Sequence, residues 1–457
     1  MQAIVTPDEM AAIDAAAPVP VEELVERAGA AVARAALELL GGAYGRRVVV
    51  LAGKGNNGAD GRDAARRLRA RGVRVAVIDA ADAPDALPPS ELVIDAAYGT
   101  GFRGEHRPPV IADPATLVLA VDVPSGVSGL TGVASGAPWP AVRTVTFAAL
   151  KPGLLIGDGP GLAGRVTVAD IGLDVSIATA HLVEAGDVAA WLPERPAESH
   201  KWKAAAWVVA GSPGMTGAAH LATRAAQRAG AGYVRLSTPG SDGDPFAPVE
   251  AVVTPLAAGG WAATVIEGEE RFGALAVGPG LGTAPGDAKQ VRDLVGRSRA
   301  AIVVDGDGLR ALGERAAEVI ARRDPDAGPV VLTPHEGEFE ALAGAAPDAD
   351  RFAAVRALAE ETGAVVLLKG STTLVAEPGG HVWASDTGDA RLASAGTGDV
   401  LTGTLVALLA QGLPADRAAA AAAYLHGRAG ALTWRRGLVA GDVVDHLPAA
   451  LAELPGG

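Results

Sequence analysis

The amino-acid sequence predicts an α/β protein with two successive domains, each built on a parallel, doubly wound sheet. At 457 residues the chain is about three times as long as a typical domain. Short, nearly continuous runs of Val, Ile and Leu are bounded by Gly, Pro and Asp, which is typical of strands buried on both faces. Helical segments between these runs indicate right-handed crossovers. The alternation stops at a polar segment and then restarts, which indicates two folding units.

The first predicted domain spans residues 1–192 and has a Rossmann-like doubly wound sheet. A helical lead-in over residues 7–40 precedes the first strand. A glycine-rich loop follows that strand, and the next helix is predicted at residues 60–71. Buried strands are expected at residues 46–53, 73–80, 91–101, 116–126, 144–150 and 165–172.

A polar linker is predicted at residues 193–200, where two prolines and mixed charges interrupt the apolar pattern. The second domain, residues 201–457, repeats the alternation of strands and helices. Helices are predicted at residues 217–229 and 399–411. Its strands are expected at residues 205–212, 233–239, 274–282, 300–308, 329–339 and 364–370.

The composition excludes several classes of protein and site. Lys and Arg number 39 against 53 Asp and Glu, so the net charge of −14 argues against a nucleic-acid or anionic-membrane binder. The absence of cysteine excludes disulfides, thiolate nucleophiles and Cys-ligated zinc. The opening residues do not resemble a secretory signal, and the longest uncharged stretch, residues 204–223, contains Gly and Pro. We therefore expect a cytoplasmic protein without a membrane span, and we expect it to form a homo-oligomer.

Polar residues follow three strands of the first domain. The loop after the first strand contains the paired amides Asn56 and Asn57, and its glycines allow close approach to a diphosphate. Asp95 closes a second strand, and Asp122 and Ser125 close a third. Carboxylate, amide and hydroxyl oxygens at one sheet edge predict a ligand site that suits a hard cation. Helix capping by the individual side chains is the structural alternative.

The segment GTGD at residues 396–399 stands directly before a long apolar helix. Backbone N–H groups at that terminus predict an anion hole for a transferring phosphoryl group, and Asp399 can accept a hydroxyl proton. Capping by Thr397 or Asp399 is the alternative. Lys369, one of six lysines, ends a strand where its charge can reach a phosphate, unless it is simply solvated. His335 has no second His nearby, so a zinc site is not supported.

The N-terminal part resembles the NAD(P)H-hydrate epimerase family. The resemblance rests on GKGNNGADGRDAARRL, IDAAYGTGFRG and VDVPSG in this order, and it covers nearly all of residues 1–190. It implies that Asn57, Asp95 and Ser125 bind K⁺. It also implies that Asp122 lies beside the nicotinamide ring, as the candidate for proton transfer at C6 or its hydroxyl. The substrate-binding positions implied by the family are Asn56, Asn57, Gly58, Ala59 (where the family usually has Gly), Asp60, Gly99, Thr100, Gly101, Phe102, Arg103, Gly104 and Glu105.

The C-terminal part resembles the ADP/ATP-dependent NAD(P)H-hydrate dehydratase family, which has a ribokinase-like α/β fold. The resemblance runs from about residue 200 to residue 447 and includes AGSPGMTGAAHLA, VGPGLG, LTPHEGEF, LKGSTTLV and SAGTGDVLTG. It implies that Asp399 is the catalytic base. The implied substrate contacts are Ala218, Gly280 and His335, and the implied nucleotide contacts are Lys369, Gly370, Ser371, Thr372, Thr373, Gly396, Thr397 and Gly398.

Together the two resemblances imply a bifunctional enzyme that repairs nicotinamide nucleotides. The first domain would interconvert the R and S forms of hydrated NAD(P)H at C6. The second would dehydrate the S form with Mg²⁺ and with ADP or ATP as co-substrate. The alternative is a ribokinase-like small-molecule kinase with a non-catalytic N-terminal binding module. The fused first domain, its polar strand ends and the TPHEGEF segment favour repair.

Overall fold

The computed structural model describes residues 1–456 and divides into two compact units. The first unit is Gln2–Ala180, and the second begins at His181. Each unit has a central sheet and a hydrophobic core, so the predicted α/β class is confirmed. No helix in the described part of the chain is long and apolar enough to cross a bilayer.

The second unit begins before the linker predicted at residues 193–200. The short helix that precedes this segment belongs to the second core, in which Val188 is completely buried. The ring of Trp191 lies 5.0 Å from the ring of Trp383 in an edge-on contact. Apolar packing therefore ties residues of the predicted first domain to the second unit.

The first unit has the predicted alternation of strands and helices. The lead-in forms two helices, and the first begins at a capping box in which Thr6 Oγ1 accepts from the Glu9 N–H at 3.2 Å. The second helix ends at Gly41, which is left-handed. The elements are β1 (Gln2–Ile4), α1 (Pro7–Ala15), α2 (Val21–Leu40), β2 (Arg47–Ala52), α3 (Asn56–Ala70), β3 (Arg74–Asp79), β4 (Leu92–Ala96), β5 (Leu117–Val121), β6 (Arg143–Phe147), α4 (Gly159–Ala163) and β7 (Arg165–Ala169).

Six parallel strands form the sheet of the first unit, in the order β3-β2-β4-β5-β6-β7. After β3 the chain returns to the other side of β2, so the strand order reverses between β2 and β4. The core includes completely buried side chains of α2, α3 and the central strands. Ligands of open α/β sheets bind at the carboxyl ends of the strands beside such a switch point.

The second unit repeats this architecture with more elements. Its strand β8 (Ala180–Leu182) begins at the boundary. The elements that follow are α5 (Ala185–Trp191), β9 (Ala205–Val209), α6 (Gly217–Arg228), β10 (Tyr233–Ser237), β11 (Val252–Val253), α7 (Trp261–Gly268), β12 (Ala274–Val277), α8 (Pro285–Arg297), β13 (Ala301–Val304), α9 (Asp307–Leu312), α10 (Ala316–Ile320), β14 (Val330–Leu332), α11 (Glu336–Ala343), α12 (Arg351–Thr362), β15 (Val365–Leu368), β16 (Thr373–Ala376), β17 (Val382–Ser385), α13 (Thr397–Ala410), α14 (Ala415–Leu432) and α15 (Ala440–Ala452).

Nine strands of the second unit lie in the order β17-β16-β15-β14-β13-β12-β9-β10-β11. Neighbours from β15 to β11 are parallel, whereas β15, β16 and β17 pair in antiparallel fashion. The four-residue strands β16 and β17 were not predicted, because such short runs carry little periodicity. The strand order reverses between β9 and β12, which creates a switch point in this sheet as well.

Candidate functional site

A cavity of about 980 Å³ lies beside the switch point of the first sheet. Its walls come from the segments that follow β2, β4 and β5, and from α1 and α2. This volume is at the upper end of the range of about 300–1,000 Å³ for small-molecule sites. The predicted residues that line it are Asn56, Asn57, Asp60, Gly99, Thr100, Gly101, Phe102, Arg103 and Asp122.

The predicted segment at residues 56–60 is the start of α3, not a loop. A Cβ atom at Gly58 would collide with the carbonyl oxygen of Gly53, so glycine lets the helix approach the end of β2. Ala59 is helical and does not need a positive φ, so its methyl group causes no backbone strain. The first-turn N–H groups of α3 are consequently available at the cavity wall.

Aromatic packing holds the predicted substrate loop at residues 99–105. The ring of Phe102 lies 4.4 Å from the ring of Tyr98, which directly precedes the loop. The last two residues of the loop are not part of the cavity wall as the described residues form it. Glu105 instead pairs with Arg107 at 2.8 Å on the surface.

Asp122 directly follows β5 and lines the cavity. Its φ of 67° lies in the left-handed region, which is uncommon for a residue other than glycine. Its N–H donates to the Val145 carbonyl at 2.7 Å. Asp122 Oδ1 accepts from the Lys151 ammonium at 2.8 Å and from the Thr146 hydroxyl at 3.1 Å. Backbone and side chain of Asp122 are therefore both anchored to β6 and the turn after it.

Gly99 separates Asp122 from Asn57. A Cβ atom at Gly99 would lie 3.2 Å from Asp122 Oδ2 and 3.5 Å from Asn57 Cγ. The side-chain amide of Asn57 is buried without a hydrogen-bond partner among the described residues. The second carboxylate oxygen and this amide are therefore placed to bind a ligand in the gap beside Gly99.

Asp95 and Ser125 form a buried pair that joins the ends of β4 and β5. Ser125 Oγ donates to Asp95 Oδ1 at 2.6 Å, and the Ser125 N–H donates to Asp95 Oδ2 at 2.9 Å. Burial raises the pKa of the Asp95 carboxyl, and the hydrogen bonds from Ser125 oppose that effect. Residues 1–456 contain no group of three His, Asp or Glu side chains that could hold a metal, so a cation here would also need amide, hydroxyl or carbonyl oxygens.

Asp60 is a further aspartate of the cavity wall. Burial, together with the negative charge of Asp122, raises the pKa of Asp60 to about 8. Asp60 is therefore mostly protonated at neutral pH and can donate a hydrogen bond into the cavity. Burial also raises the pKa of Asp14, which α1 places on the same wall.

In the second unit, the segment at residues 396–399 forms the start of α13. Gly396 is the N-cap residue with φ 90°, a conformation that favours glycine. The Thr397 hydroxyl donates to the Leu392 carbonyl at 2.7 Å. Because Gly396 occupies the cap position, neither Thr397 nor Asp399 serves as the N-cap. The Thr397 N–H donates to the Ser394 carbonyl at 3.3 Å, and the N–H groups of Gly398 and Asp399 are available for an anion.

Lys369 borders this helix terminus. Its Nζ lies 2.5 Å from Asp305 Oδ1 and 3.9 Å from Glu338 Oε2. A Cβ atom at Gly398 would lie 3.5 Å from the same Nζ. The predicted nucleotide-binding residues 369–373 span the turn from β15 to the first residue of β16. This hairpin positions the Lys369 ammonium beside the predicted anion hole.

Asp305 directly follows β13 and is only 3% exposed. Its carboxylate accepts hydroxyl hydrogen bonds from Thr333 at 2.8 Å and from Thr402 at 2.7 Å, in addition to its ion pair with Lys369. Three elements therefore hold Asp305, and Asp305 in turn holds the lysine.

Asp399 lies in the first turn of α13, beside these charges. Burial raises the pKa of Asp399 to about 7, and the negative charge of Asp305 adds to the increase. The positive charge of Lys369 opposes it. A carboxylate with a pKa near neutrality is suited to accept and release a proton at physiological pH.

Two of the predicted substrate residues of the second unit, Ala218 and Gly280, lie at its switch point. A Cβ atom at Gly280, after β12, would lie 3.2 Å from the Cβ atom of Ala218 on α6. A Cβ atom at Gly396 would lie 2.6 Å from Leu221 Cδ1, one turn further along α6. The structure thus brings Ala218 and Gly280 together and places α6 against the start of α13.

His335 is the N-cap residue of α11. Its Nδ1 accepts from the Gly337 N–H at 3.0 Å, and Glu338 Oε2 accepts from the His335 N–H at 2.9 Å. This capping box engages Nδ1, and Nε2 lies 3.4 Å from Glu338 Oε1.

Sequence reasoning did not single out Lys151, Thr146 or Asp305. Lys151 could have been identified from the sequence, because it is one of only six lysines and stands at the end of a predicted strand, as Lys369 does. Asp305 stands in VVDGDGL, which is one of the polar strand ends of the second domain. What the sequence did not show is that each residue pairs with a partner on another element.

Comparison with known families gives a separate match in each of the two units. Residues 206–451 match the sequence model described as NAD(P)H-hydrate dehydratase. Residues 21–87 and 78–153 match the one described as YjeF-related protein N-terminus. Among solved structures, an ADP/ATP-dependent NAD(P)H-hydrate dehydratase from Bacillus subtilis, co-crystallised with ATP and Mg²⁺, is 31% identical with a TM-score of 0.52. The alignment covers 60% of this chain and 98% of that one.

A ribokinase-like superfamily protein from Enterococcus faecalis, 20% identical with a TM-score of 0.53 over 62% of this chain and 98% of that one, agrees in fold. Two full-length relatives are described as bifunctional NAD(P)H-hydrate repair enzymes. The protein from Moorella thermoacetica is 36% identical and covers 99% of this chain and 97% of its own length. The protein from Mycobacterium leprae is 38% identical and covers 91% and 90%, respectively. The chain therefore belongs to the family of bifunctional NAD(P)H-hydrate repair enzymes.

Proposed function

We propose that the two units catalyse successive steps in the repair of hydrated NAD(P)H. The first interconverts the R and S forms at C6, and the second dehydrates the S form at the expense of ADP or ATP. The proposal rests on one observation: each unit places an aspartate where this chemistry needs it. Asp122 lies on the wall of a nucleotide-sized cavity, and Asp399 lies in the first turn of a helix beside Lys369.

In the second unit, Asp399 takes the proton from the C6 hydroxyl of the S form. The oxygen attacks the terminal phosphoryl group of the nucleotide, and the bond from that phosphorus to the bridging oxygen breaks. Lys369 and the first-turn N–H groups of α13 stabilise the negative charge. The new phosphate ester then leaves C6 as inorganic phosphate while C5 loses a proton, which restores the ring of NAD(P)H.

The nucleotide would bind together with Mg²⁺, which supplies positive charge for its phosphates. Mg²⁺ is commonly held by one or two carboxylates together with phosphate oxygens. Residues 1–456 contain no group of three His, Asp or Glu side chains that could hold the ion, so phosphate oxygens of the nucleotide would supply most of its ligands.

In the first unit, Asp122 Oδ2 accepts and returns a proton at C6 or at its hydroxyl. The oxygen faces the gap beside Gly99, and protonated Asp60 donates a hydrogen bond within the same cavity. K⁺ would be held by Asn57, Asp95 and Ser125 and would supply positive charge for substrate oxygens. The buried, unpartnered amide of Asn57 supports this assignment.

The proposed partners are small molecules: hydrated NADH or NADPH, and ADP or ATP. The net charge of −14 supports a protein that binds neither nucleic acid nor membranes. We expect it to act as a homo-oligomer in the cytoplasm.

The decisive experiment mixes the full-length protein with chemically prepared hydrated NADH, ADP and Mg²⁺ and follows the recovery of NADH absorbance. Repair of both epimers is expected, because the R form is converted to the S form before dehydration. Recovery of only the S fraction would contradict the epimerase function. Nucleotide consumption without recovery of NADH would support the small-molecule kinase instead.

A further inference from the structure

Lys151 is a fully buried cation next to the proposed proton acceptor of the first unit. It is 1% exposed, and burying an ammonium group is costly unless its donors are all satisfied. Its Nζ has four acceptors within 3.2 Å. These are Asp122 Oδ1 at 2.8 Å, Thr146 Oγ1 at 2.9 Å, the Phe147 carbonyl at 2.9 Å and the Ala149 carbonyl at 3.2 Å. Because an ammonium group has three N–H donors, none remains for a substrate.

The direction of the Thr146 hydrogen bond follows from this arrangement. Lysine can only donate, so the Thr146 hydroxyl oxygen accepts from Lys151 Nζ at 2.9 Å. The hydroxyl proton is then directed to Asp122 Oδ1 at 3.1 Å. Asp122 Oδ1 thus receives two donors, while Oδ2 faces the gap beside Gly99.

The backbone around these groups is unusual. Among residues 1–456, only Asp122 and Ala148 combine a side chain with a positive φ, of 67° and 62°. They follow the neighbouring strands β5 and β6, and Ala148 lies between the two carbonyl groups that hold Lys151. Strain of this kind persists where the surrounding contacts determine the geometry, and it is common at functional sites.

We propose that Lys151 and Thr146 are positioning residues that fix the Asp122 carboxylate for proton transfer in epimerisation. This inference rests on the proposed function of the first unit. The two side chains occupy Oδ1 and leave Oδ2 for the substrate. The other titratable groups near this site are Asp60 of α3 and Asp14 of α1, and burial raises the pKa of both.

The test compares Lys151→Met with Lys289→Met in the full-length protein, starting from the R form and separating the two epimers by chromatography. Lys289 is an exposed lysine of α8 and serves as the matched control for removing a charge. For Lys151→Met, kcat of epimerisation should fall about 100-fold, while KM changes less than about threefold.

Thr146→Val and Thr146→Ser provide a second test that does not remove a charge from the core. The valine variant should lose about tenfold in kcat, and serine should recover most of that loss, because it restores the hydroxyl. Calorimetric melting of the first unit in the same proteins reports whether that unit is folded. If Lys151→Met does not fold, the Thr146 pair decides.

An unchanged kcat of epimerisation in Lys151→Met, or equal activities of the two Thr146 variants, would overturn the positioning role. The proposed function fails by a different result. If Asp122→Asn epimerises at the wild-type rate, Asp122 is not the proton acceptor, whatever the Lys151 and Thr146 variants do.

Discussion

Each unit contains a lysine paired with an aspartate directly after a strand, and a second aspartate near the start of a helix. In the first unit, Lys151 pairs with Asp122, and Asp60 directly follows the first turn of α3. Asp122 is the proposed proton acceptor here, so the lysine acts on the reacting group itself. Burial keeps the pKa of Asp60, the helical aspartate, at about 8.

The second unit uses the same three groups in the opposite way. Lys369 pairs with Asp305 after β13, and the helical aspartate Asp399 is the proposed base. The lysine is thereby held beside the anion hole for the nucleotide, while burial keeps the pKa of Asp399 at about 7. With the proposed roles, one arrangement at a strand end holds the base in the first unit and the anion-binding cation in the second.

The largest expected effect comes from Asp399→Asn. Removing a general base typically costs about 10²–10⁴-fold in rate, so recovery of NADH from the S form should be nearly abolished. Conversion of R to S should continue, because that step belongs to the first unit. The measurement is NADH absorbance together with chromatographic separation of the epimers. A variant that still repairs the S form at the wild-type rate would remove Asp399 from the proposed role.

The second prediction tests whether Asp122, and not the helical Asp60, is the proton acceptor of the first unit. Asp122→Asn should lower kcat of epimerisation by about 10²-fold or more, so that only the S fraction is repaired. Asp60→Asn, a neutral side chain that can still donate a hydrogen bond, should cost less than about tenfold. If the order of the two effects is reversed, the helical aspartate is the proton acceptor in both units and the contrast between them disappears.

The third prediction concerns the pH dependence of dehydration. Dehydration requires ionised Asp399, so below pH 7 its rate should fall about tenfold for each pH unit. The measurement is kcat/KM for the S form between pH 5 and pH 9, with nucleotide saturating. A rate that stays constant down to pH 5 would show that the group with a pKa near 7 does not take part.

The fourth prediction is Asp305→Asn, with Asp293→Asn on the exposed face of α8 as the control. Since the charge of Asp305 contributes to the raised pKa of Asp399, the acidic limb of the dehydration profile should move to lower pH, by less than about one unit. The nucleotide KM should rise several-fold, because Lys369 loses its anchor. An unchanged profile with an increased KM would limit Asp305 to holding the lysine.

The residues that were predicted and those that were missed differ in the range of their interactions. Buried Val- and Leu-rich runs and polar residues at their ends are local patterns, so the sequence predicted the positions of six strands along the first unit and the placement of Asp95 and Asp122 at strand ends. The pairs Lys151–Asp122 and Lys369–Asp305 join different elements, and no local pattern specifies them. The first turn of α3 was predicted as a loop because its Gly and Asn residues have low helix propensity, which the close packing of Gly58 overrides.

The smallest expected effect is on stability and concerns Asp60 again. Its pKa of about 8 in the folded protein exceeds the ordinary value of 3.8, so folding favours the protonated form. That contribution to stability is complete below about pH 4 and is lost as the pH rises through 8. Asn is neutral at every pH, so the gain in melting temperature of Asp60→Asn over the wild type should grow between pH 5 and pH 8.

For each kcal/mol by which Asp60→Asn increases the free energy of unfolding, the melting temperature of the first unit should rise by about 2–4 °C, measured by calorimetry. Asp82→Asn, at an exposed position after β3, is the control and should show no such pH-dependent difference. A gain for Asp60→Asn that is the same at pH 5 and pH 8 would mean that Asp60 is ionised in the folded cavity. The first unit would then hold two charged aspartates around Lys151, and its likeness to the arrangement around Asp399 would be lost.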